Sequence, residues 1–207
     1  MAFSGIWNWI TGLFRHRKIV RLGFYGSTNA GKTSLANRIS LDWLGEPVGK
    51  VSEIPHETRE VQKKEHVIVK SHGKELEMNL LDMPGIATKV DYREFITYGM
   101  KKDEAQQRAK EATKGIIEAI KWLENVDAAL VVMDACADPF TQINITILGN
   151  LEARKIPVII VANKCDSKKA KPEKVREAFP QYAVVAVSAL TGENMNGLYE
   201  TISKHMR

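Results

Sequence analysis

Eight residues constrain this chain more than any others: Gly26-Ser27-Thr28-Asn29-Ala30-Gly31-Lys32-Thr33, a G-x-x-x-x-G-K-T spacing. The apolar run before it, residues 19–25, reads as a buried strand, and residues 34–39 after it read as a helix. That strand-loop-helix setting gives the spacing its meaning. Gly26 and Gly31 let successive backbone N–H groups of Ser27, Thr28, Asn29 and Ala30 turn inward, and the helix opening near Lys32 adds its positive dipole end. The loop, through Ser34, is therefore suited to cradling phosphate oxygens, with Lys32 bridging the terminal phosphates and the Thr33 hydroxyl on Mg²⁺.

Composition bounds the setting. A chain of 207 residues, 44% of them hydrophobic, can bury one proper core, and no repeat, low-complexity tract or Gly/Ser linker divides it. Cys136 and Cys165 have neither metal-ligand spacing nor a disulfide framework, so they read as packing residues in a reducing, cytoplasmic setting. The net charge of +5 permits an RNA or an anionic membrane as partner without requiring either. No apolar run approaches the ~20 residues that span a bilayer. The N-terminus does not read as a signal peptide, because its charges follow the apolar part.

Residues 1–18 form a segment of their own. Phe3, Ile6, Trp7, Ile10, Leu13 and Phe14 recur at helical spacing, and Arg15-His16-Arg17-Lys18 close the segment with no acidic residue before them. An amphipathic basic helix of this kind suits a peripheral membrane contact, where three fixed charges add roughly 3 kcal/mol on an anionic surface. It equally suits docking to a partner or folding back on the domain formed by residues 19–207.

Beyond the loop helix, residues 44–52 are turn-rich and lead to Thr58, placed where a switch threonine would reach Mg²⁺ when a γ-phosphate is present. Residues 65–70 and 75–81 predict a hairpin whose second strand ends in Asp82-Met83-Pro84-Gly85. The Asp82 carboxylate can hold Mg²⁺ through water, and the Gly85 amide can approach the γ-phosphate closely. Residues 86–100 read as irregular. A helix is expected over 101–123, with Ala105, Ala109, Ala112, Ile116, Ile120 and Leu123 inward and a charged outer face that includes Arg108. The small residues early in that stripe predict loose packing and mobility in its first half.

Residues 128–133 are continuously apolar, as in a central parallel strand, and a helix over 139–153 connects them to a second such strand at 157–162. That strand delivers Asn163-Lys164-Cys165-Asp166. An aspartate carboxylate can accept from both the N1–H and the exocyclic amine of guanine, a pair adenine lacks, so Asp166 selects GTP over ATP. Lys164 lays its stem along the base, Asn163 ties this loop to the phosphate loop, and the amides of Ser188-Ala189-Leu190 after the strand at 183–187 cap the guanine carbonyl. Ser167-Lys168-Lys169-Ala170-Lys171 forms a basic lip without interleaved aromatics, so it reads as a solvated loop. Helices are expected from Pro172 to about Phe179 and from about Asn194 to Lys204.

Taken in order, the stretch 26–33, Thr58, Asp82-x-x-Gly85, Asn163-Lys164-x-Asp166 and Ser188-Ala189-Leu190 resemble the five motifs of the translation-factor-class small GTPases, over residues 19–207. Asn29 in the loop, Thr58-Arg59, and Ile86 after the glycine are most similar to the Era/TrmE/FeoB branch. The resemblance implies a P-loop NTPase G domain: an α/β/α fold with a mostly parallel six-stranded sheet and one antiparallel strand. It implies a slow GTP-hydrolysing switch in which Lys32, Thr58 and Gly85 act on the transferred phosphoryl group and Thr33, Thr58 and Asp82 hold Mg²⁺. Ras-like proteins place a water-orienting glutamine after the glycine. Ile86 has no polar atom for that role, and in some members of the branch a potassium ion, ligated partly by the loop asparagine, supplies charge instead. Asn29 is therefore the expected K⁺ ligand. An RNA or ribosomal partner and a nucleotide-dependent dimer stay open. So does the alternative, a nucleotide-gated docking module with little catalysis. The RNA-binding KH domain of Era-type proteins, the transmembrane part of FeoB and the folate-binding part of TrmE have no counterpart in these residues.

Overall fold

The stretches 128–133, 158–162 and 183–186 are apolar at every position, and strands of that kind must be covered on both faces. The computed structural model, which describes residues 19–49, 58, 60–71, 74–87 and 90–205, meets that demand with two helical layers. Strands β1 (Val20–Tyr25), β2 (Gln62–Ser71), β3 (Lys74–Asp82), β4 (Ala128–Asp134), β5 (Val158–Asn163) and β6 (Ala183–Ala186) form one sheet in the order β2-β3-β1-β4-β5-β6. Only the β2–β3 pair is antiparallel.

The alternation along the strands decides which layer each residue meets. Leu22, Phe24, Leu130, Val132, Ile159 and Val161 face helices α1 (Lys32–Leu44) and α6 (Met195–His205), through Leu35, Ile39, Leu198 and Ile202. The intervening Tyr25, Val131, Met133 and Ile160 face the end of α3 (Lys102–Lys121), α4 (Gln142–Ala153) and α5 (Pro172–Ala178). Parallel pairing then places the C-terminal ends of β1, β3, β4, β5 and β6 along one edge. Ligands of open α/β sheets bind beyond that edge, where the strand order reverses around β1.

Several elements differ from the sequence expectation. The segment 86–100 is not irregular throughout: it contains a short helix, α2 (Tyr92–Thr97), capped by the Asp91 carboxylate, which accepts from the Arg93 amide. Its Phe95 is fully buried and shares a small separate core with Ala105 and Ala112 of α3. Helix α3 stops at Lys121 and tightens into a 3₁₀ turn, Trp122–Asn125. Its buried stripe is Ala105, Arg108, Ala112, Gly115 and Ala119, rotated from the expected one. Ile120 is exposed and Ile116 half-buried, because the side carrying the smallest residues is the one that lets the helix backbone approach its neighbours. Arg108 is buried instead of solvated.

Helix α4 begins at Gln142, where Thr141 accepts from the Asn144 amide, instead of near Pro139. Strand β2 starts three residues earlier than expected and carries a bulge between Lys64 and Val67. Cys136 is exposed, contrary to a packing role, and Cys165 is half-buried. The basic helix expected over 1–18 lies outside the described residues.

Candidate nucleotide site

The phosphate loop closes tightly because nothing protrudes from its glycines where other parts press in. Gly31 sits at φ 93°, and a Cβ there would lie 2.2 Å from the Asn163 amide nitrogen. Asn163 is buried and donates to the Ala30 carbonyl at 3.0 Å while accepting from the Ala189 amide at 3.0 Å. One side chain at the end of β5 thus joins the loop after β1 to the loop after β6. Asn29, at φ 59°, stands exposed on the outer turn of the loop.

Lys32 is buried, and its Nζ donates to the Ser27 carbonyl at 2.9 Å, so the ammonium folds into the ring that the loop forms. Burial pulls its pKa down to about 8, against the opposing pull of Asp82. Opposite it the turn after β3 presses close. A Cβ on Gly85 would meet the Thr28 Cα at 3.0 Å and Lys32 Nζ at 3.3 Å, and the Ile86 amide donates to the Gly26 carbonyl at 3.2 Å. Gly85 therefore faces the place where terminal phosphates would lie.

Thr33, Thr58 and Asp82 come from three separated parts of the chain and meet. The Thr33 hydroxyl donates to Asp82 Oδ2 at 2.6 Å and lies 3.1 Å from the Thr58 hydroxyl. Asp82 is fully buried, and its Oδ1 has no hydrogen-bond partner among the described residues. Burial pushes its carboxyl up, opposed by Thr33, Lys32 and Thr58. A buried carboxylate oxygen without a partner, next to two hydroxyls, is a hard oxygen set that fits Mg²⁺.

The other end of the site is braced more heavily. The Ser188 hydroxyl donates to Asp166 Oδ1 at 2.6 Å and accepts from the Thr191 amide at 3.1 Å. Lys164, at φ 69°, turns its head to Asp134 Oδ2 at 2.7 Å, which leaves its stem as the part available to a base. Two of the three amides expected to cap a guanine carbonyl are engaged within the protein: Ser188 donates to the Glu193 carbonyl and Ala189 to Asn163.

Two residues missed at the sequence level complete the frame. Arg38 of α1 donates to the carbonyls of Ala189 at 3.2 Å and Leu190 at 2.8 Å. Asn37 accepts from the Val48 and Gly49 amides and donates to the Gly49 carbonyl, so the start of the segment expected to be flexible is held to α1. No local pattern marks such residues, since their partners lie on other loops.

A family described as 50S ribosome-binding GTPase matches residues 21–164. The chain belongs to this family. Curated relatives of this GTPase include GTPase Der of Fusobacterium nucleatum subsp. nucleatum, 28% identical over 194 residues, covering 88% of this chain and 38% of the relative. GTPase Der of Desulforudis audaxviator is 32% identical over 197 residues, covering 90% and 39%. The GTPase thus spans about two fifths of the length of these relatives.

Among solved structures, an Aquifex aeolicus Era variant bound to GDP·AlF4⁻ superposes with a TM-score of 0.68 at 25% identity, over 92% of this chain and 57% of that one. An Era complex with MgGDPNP and a segment of 16S ribosomal RNA gives the same values. The G domain of the T. maritima FeoB iron transporter shares the fold, with a TM-score of 0.54 over 91% of this chain and 99% of its own. The expected class, a small P-loop GTPase with a mostly parallel six-stranded sheet, is what these findings give. Among the described residues no helix is long and apolar enough to cross a membrane.

Proposed function

We propose that this GTPase is a Mg²⁺-dependent switch that binds GTP in the cleft above β1, β3 and β5, hydrolyses it slowly, and reports the result to an RNA-containing partner. The observation that carries the reading is the convergence of Lys32, Thr33, Thr58, Asp82 and Gly85 around one ring of backbone. Lys32 is held where it can leave the Ser27 carbonyl for β- and γ-phosphate oxygens, and amides of residues 26–34 would add further donors. Mg²⁺, held by Thr33, Thr58 and Asp82, would offset negative charge on the β- and γ-phosphates. Gly85 donates its amide to the γ-phosphate and so makes the turn after β3 sensitive to its presence.

Asp166, steadied by Ser188, reads the guanine edge, with the exposed Leu190 segment closing over the base and Lys164 flanking it. Ile86 is half-buried and packs against the sheet, which supports the view that no side chain at this position orients the attacking water. Asn29, exposed on the phosphate loop, is the residue proposed to help bind K⁺. The partner reading is favoured by the family description and by the 16S ribosomal RNA in the similar Era complex.

The test is phosphate release from GTP by the full chain in KCl and NaCl at matched ionic strength, with ATP as competitor. Turnover should rise in K⁺, fall to the Na⁺ level in Asn29→Ala, and resist ATP. Lys32→Ala should weaken GTP binding by about 10- to 150-fold, as loss of a charge-assisted contact implies. Equal rates in both salts would remove the potassium role. Unchanged GTP affinity in Lys32→Ala would remove the phosphate assignment.

A further inference from the structure

The basic lip after the guanine-reading loop lacks aromatics in sequence, but the fold brings one to it. The lip folds so that the Lys171 amide donates to the Ala135 carbonyl at 2.8 Å, which lays residues 168–171 against the loop after β4. An open cavity of about 660 Å³ results, lined by Lys168, Lys169, Lys171 and Lys174 together with Asp138 and Pro139. All four lysines are exposed. The one acidic side chain lining it, Asp138, is turned onto its own backbone and accepts from the Phe140 amide at 2.9 Å.

Phe140 comes directly after Pro139, the last lining residue on this loop. It is 63% exposed, the most exposed aromatic among the described residues, yet it is not loose. One face of its ring stacks on the buried Phe179, with centroids 6.0 Å apart and planes 16° from parallel. Asn144, itself buried, fixes the preceding turn by donating to the Pro139 carbonyl at 2.9 Å. The fold thus holds an exposed aromatic ring, stacked on one face, one residue along from the lining of a cavity that carries four lysines.

Phosphate groups spaced along a backbone and an unpaired base suit these two features together. An anionic membrane would use the lysines but leave a rigidly backed flat ring beside a cavity unexplained. A duplex would use the lysines and have no free base for the ring. We propose that Phe140 and Lys168, Lys169, Lys171 and Lys174 form a contact site for single-stranded RNA, separate from the nucleotide cleft. It rests on the RNA-containing partner of the proposed switch and gives that partner a place on the molecule. The loop that reads guanine and the loop that carries the lysines are continuous through residues 163–171, so both ligands would bear on one segment.

The experiment is fluorescence anisotropy of a 5′-labelled 12-nucleotide single-stranded RNA with the full chain and GDP, across a salt series. Phe140→Ala should weaken binding by about 5- to 150-fold, the range for one stacked base, and Phe140→Trp should restore it. The double variant Lys171→Ala/Lys174→Ala should flatten the slope of log affinity against log salt by about 1.4, at about 0.7 per neutralised phosphate on a single strand. GDP affinity of each variant, measured in parallel, shows that the fold persists. No RNA binding, binding indifferent to these substitutions, equal affinity for a 12-base-pair duplex, or lysine-dependent binding only to phosphatidylglycerol vesicles would each overturn the site. Because GTP hydrolysis is read separately, failure here leaves the switch reading standing, and loss of hydrolysis leaves this one standing.

Discussion

The two ends of the proposed nucleotide cleft are built to different standards. At the base end, Asn163 makes two buried hydrogen bonds, Arg38 clamps two carbonyls from α1, Ser188 steadies Asp166, and the amides of Cys165 and Val187 cross-link the adjoining loops. At the γ-phosphate end, the end of β3 and the turn after it are joined to the loop by the Thr33–Asp82 and Ile86–Gly26 bonds, and helix α2 beyond them rests on a core of three buried residues with Ile96 and Tyr98 left exposed. A reader of base identity gains from being fixed in advance, since every unsatisfied group would cost selectivity. A reporter of phosphate state gains from being weakly held, because a ligand can shift only an equilibrium that is already close.

The largest test of this contrast is Asn163→Ala. It strands a buried carbonyl and a buried amide together, each costing about 1–3 kcal/mol. With about 4 kcal/mol lost in a chain of this size, Tm should fall by about 8–16 °C, and GTP affinity should fall with it as both loops loosen. A Tm change under about 3 °C would mean that the base end is not pre-fixed by this residue.

Phe95→Ala probes the other end and should look different in kind. Removing a buried phenyl costs about 3–5 kcal/mol at its site. The small core is separate from the two sheet faces, so the loss should appear as local opening. Hydrogen exchange of α2 and the first half of α3 should accelerate by at least about 100-fold, while α4 and β5 keep their protection. A uniform loss of protection across the sheet would show that the two ends are one cooperative unit and break the comparison.

The sequence exposes these two ends unequally, and for a physical reason. The phosphate loop, the Asp82 turn and the Asn163 to Asp166 loop each keep their chemistry within a few contiguous residues at the end of an apolar strand, so spacing alone reveals them. The parallel strands are legible for the same reason. Arg38, Asn37 and the Phe140 platform act across loops that only the fold brings together, and nothing in their own neighbourhoods marks them. Helix α2 is too short to display a helical period, and it is anchored by Phe95, buried in one cluster with Ala105 and Ala112. The buried face of α3 and of the turn after it is legible only in part, at Ala105, Ala112 and Leu123, because isoleucines advertise burial more strongly than alanine and glycine do, whereas close approach of the backbone favours the small residues.

The smallest expected effect concerns the charge at the γ-phosphate end. Lys32 has a pKa of about 8 in the folded chain against 10.5 for an ordinary lysine. Between those values the unfolded chain binds more protons than the folded one, so the stability of the nucleotide-free protein should rise with pH, by at most about 1.4 kcal/mol per unit. Below about pH 8 the buried ammonium is charged and its cost is constant. Phosphates in the cleft would favour the ammonium, so GTP binding above pH 8 must take up a proton, and affinity should fall as pH rises through that window. Calorimetry of GTP binding at pH 9 in buffers of different ionisation enthalpy reads the uptake directly, and urea melts of the nucleotide-free chain at pH 8 and 9.5 read the stability. Lys32→Met keeps the stem without a titrating head and should flatten the stability slope. Proton release on binding, or a slope that persists in Lys32→Met, would show that another group governs this end of the cleft.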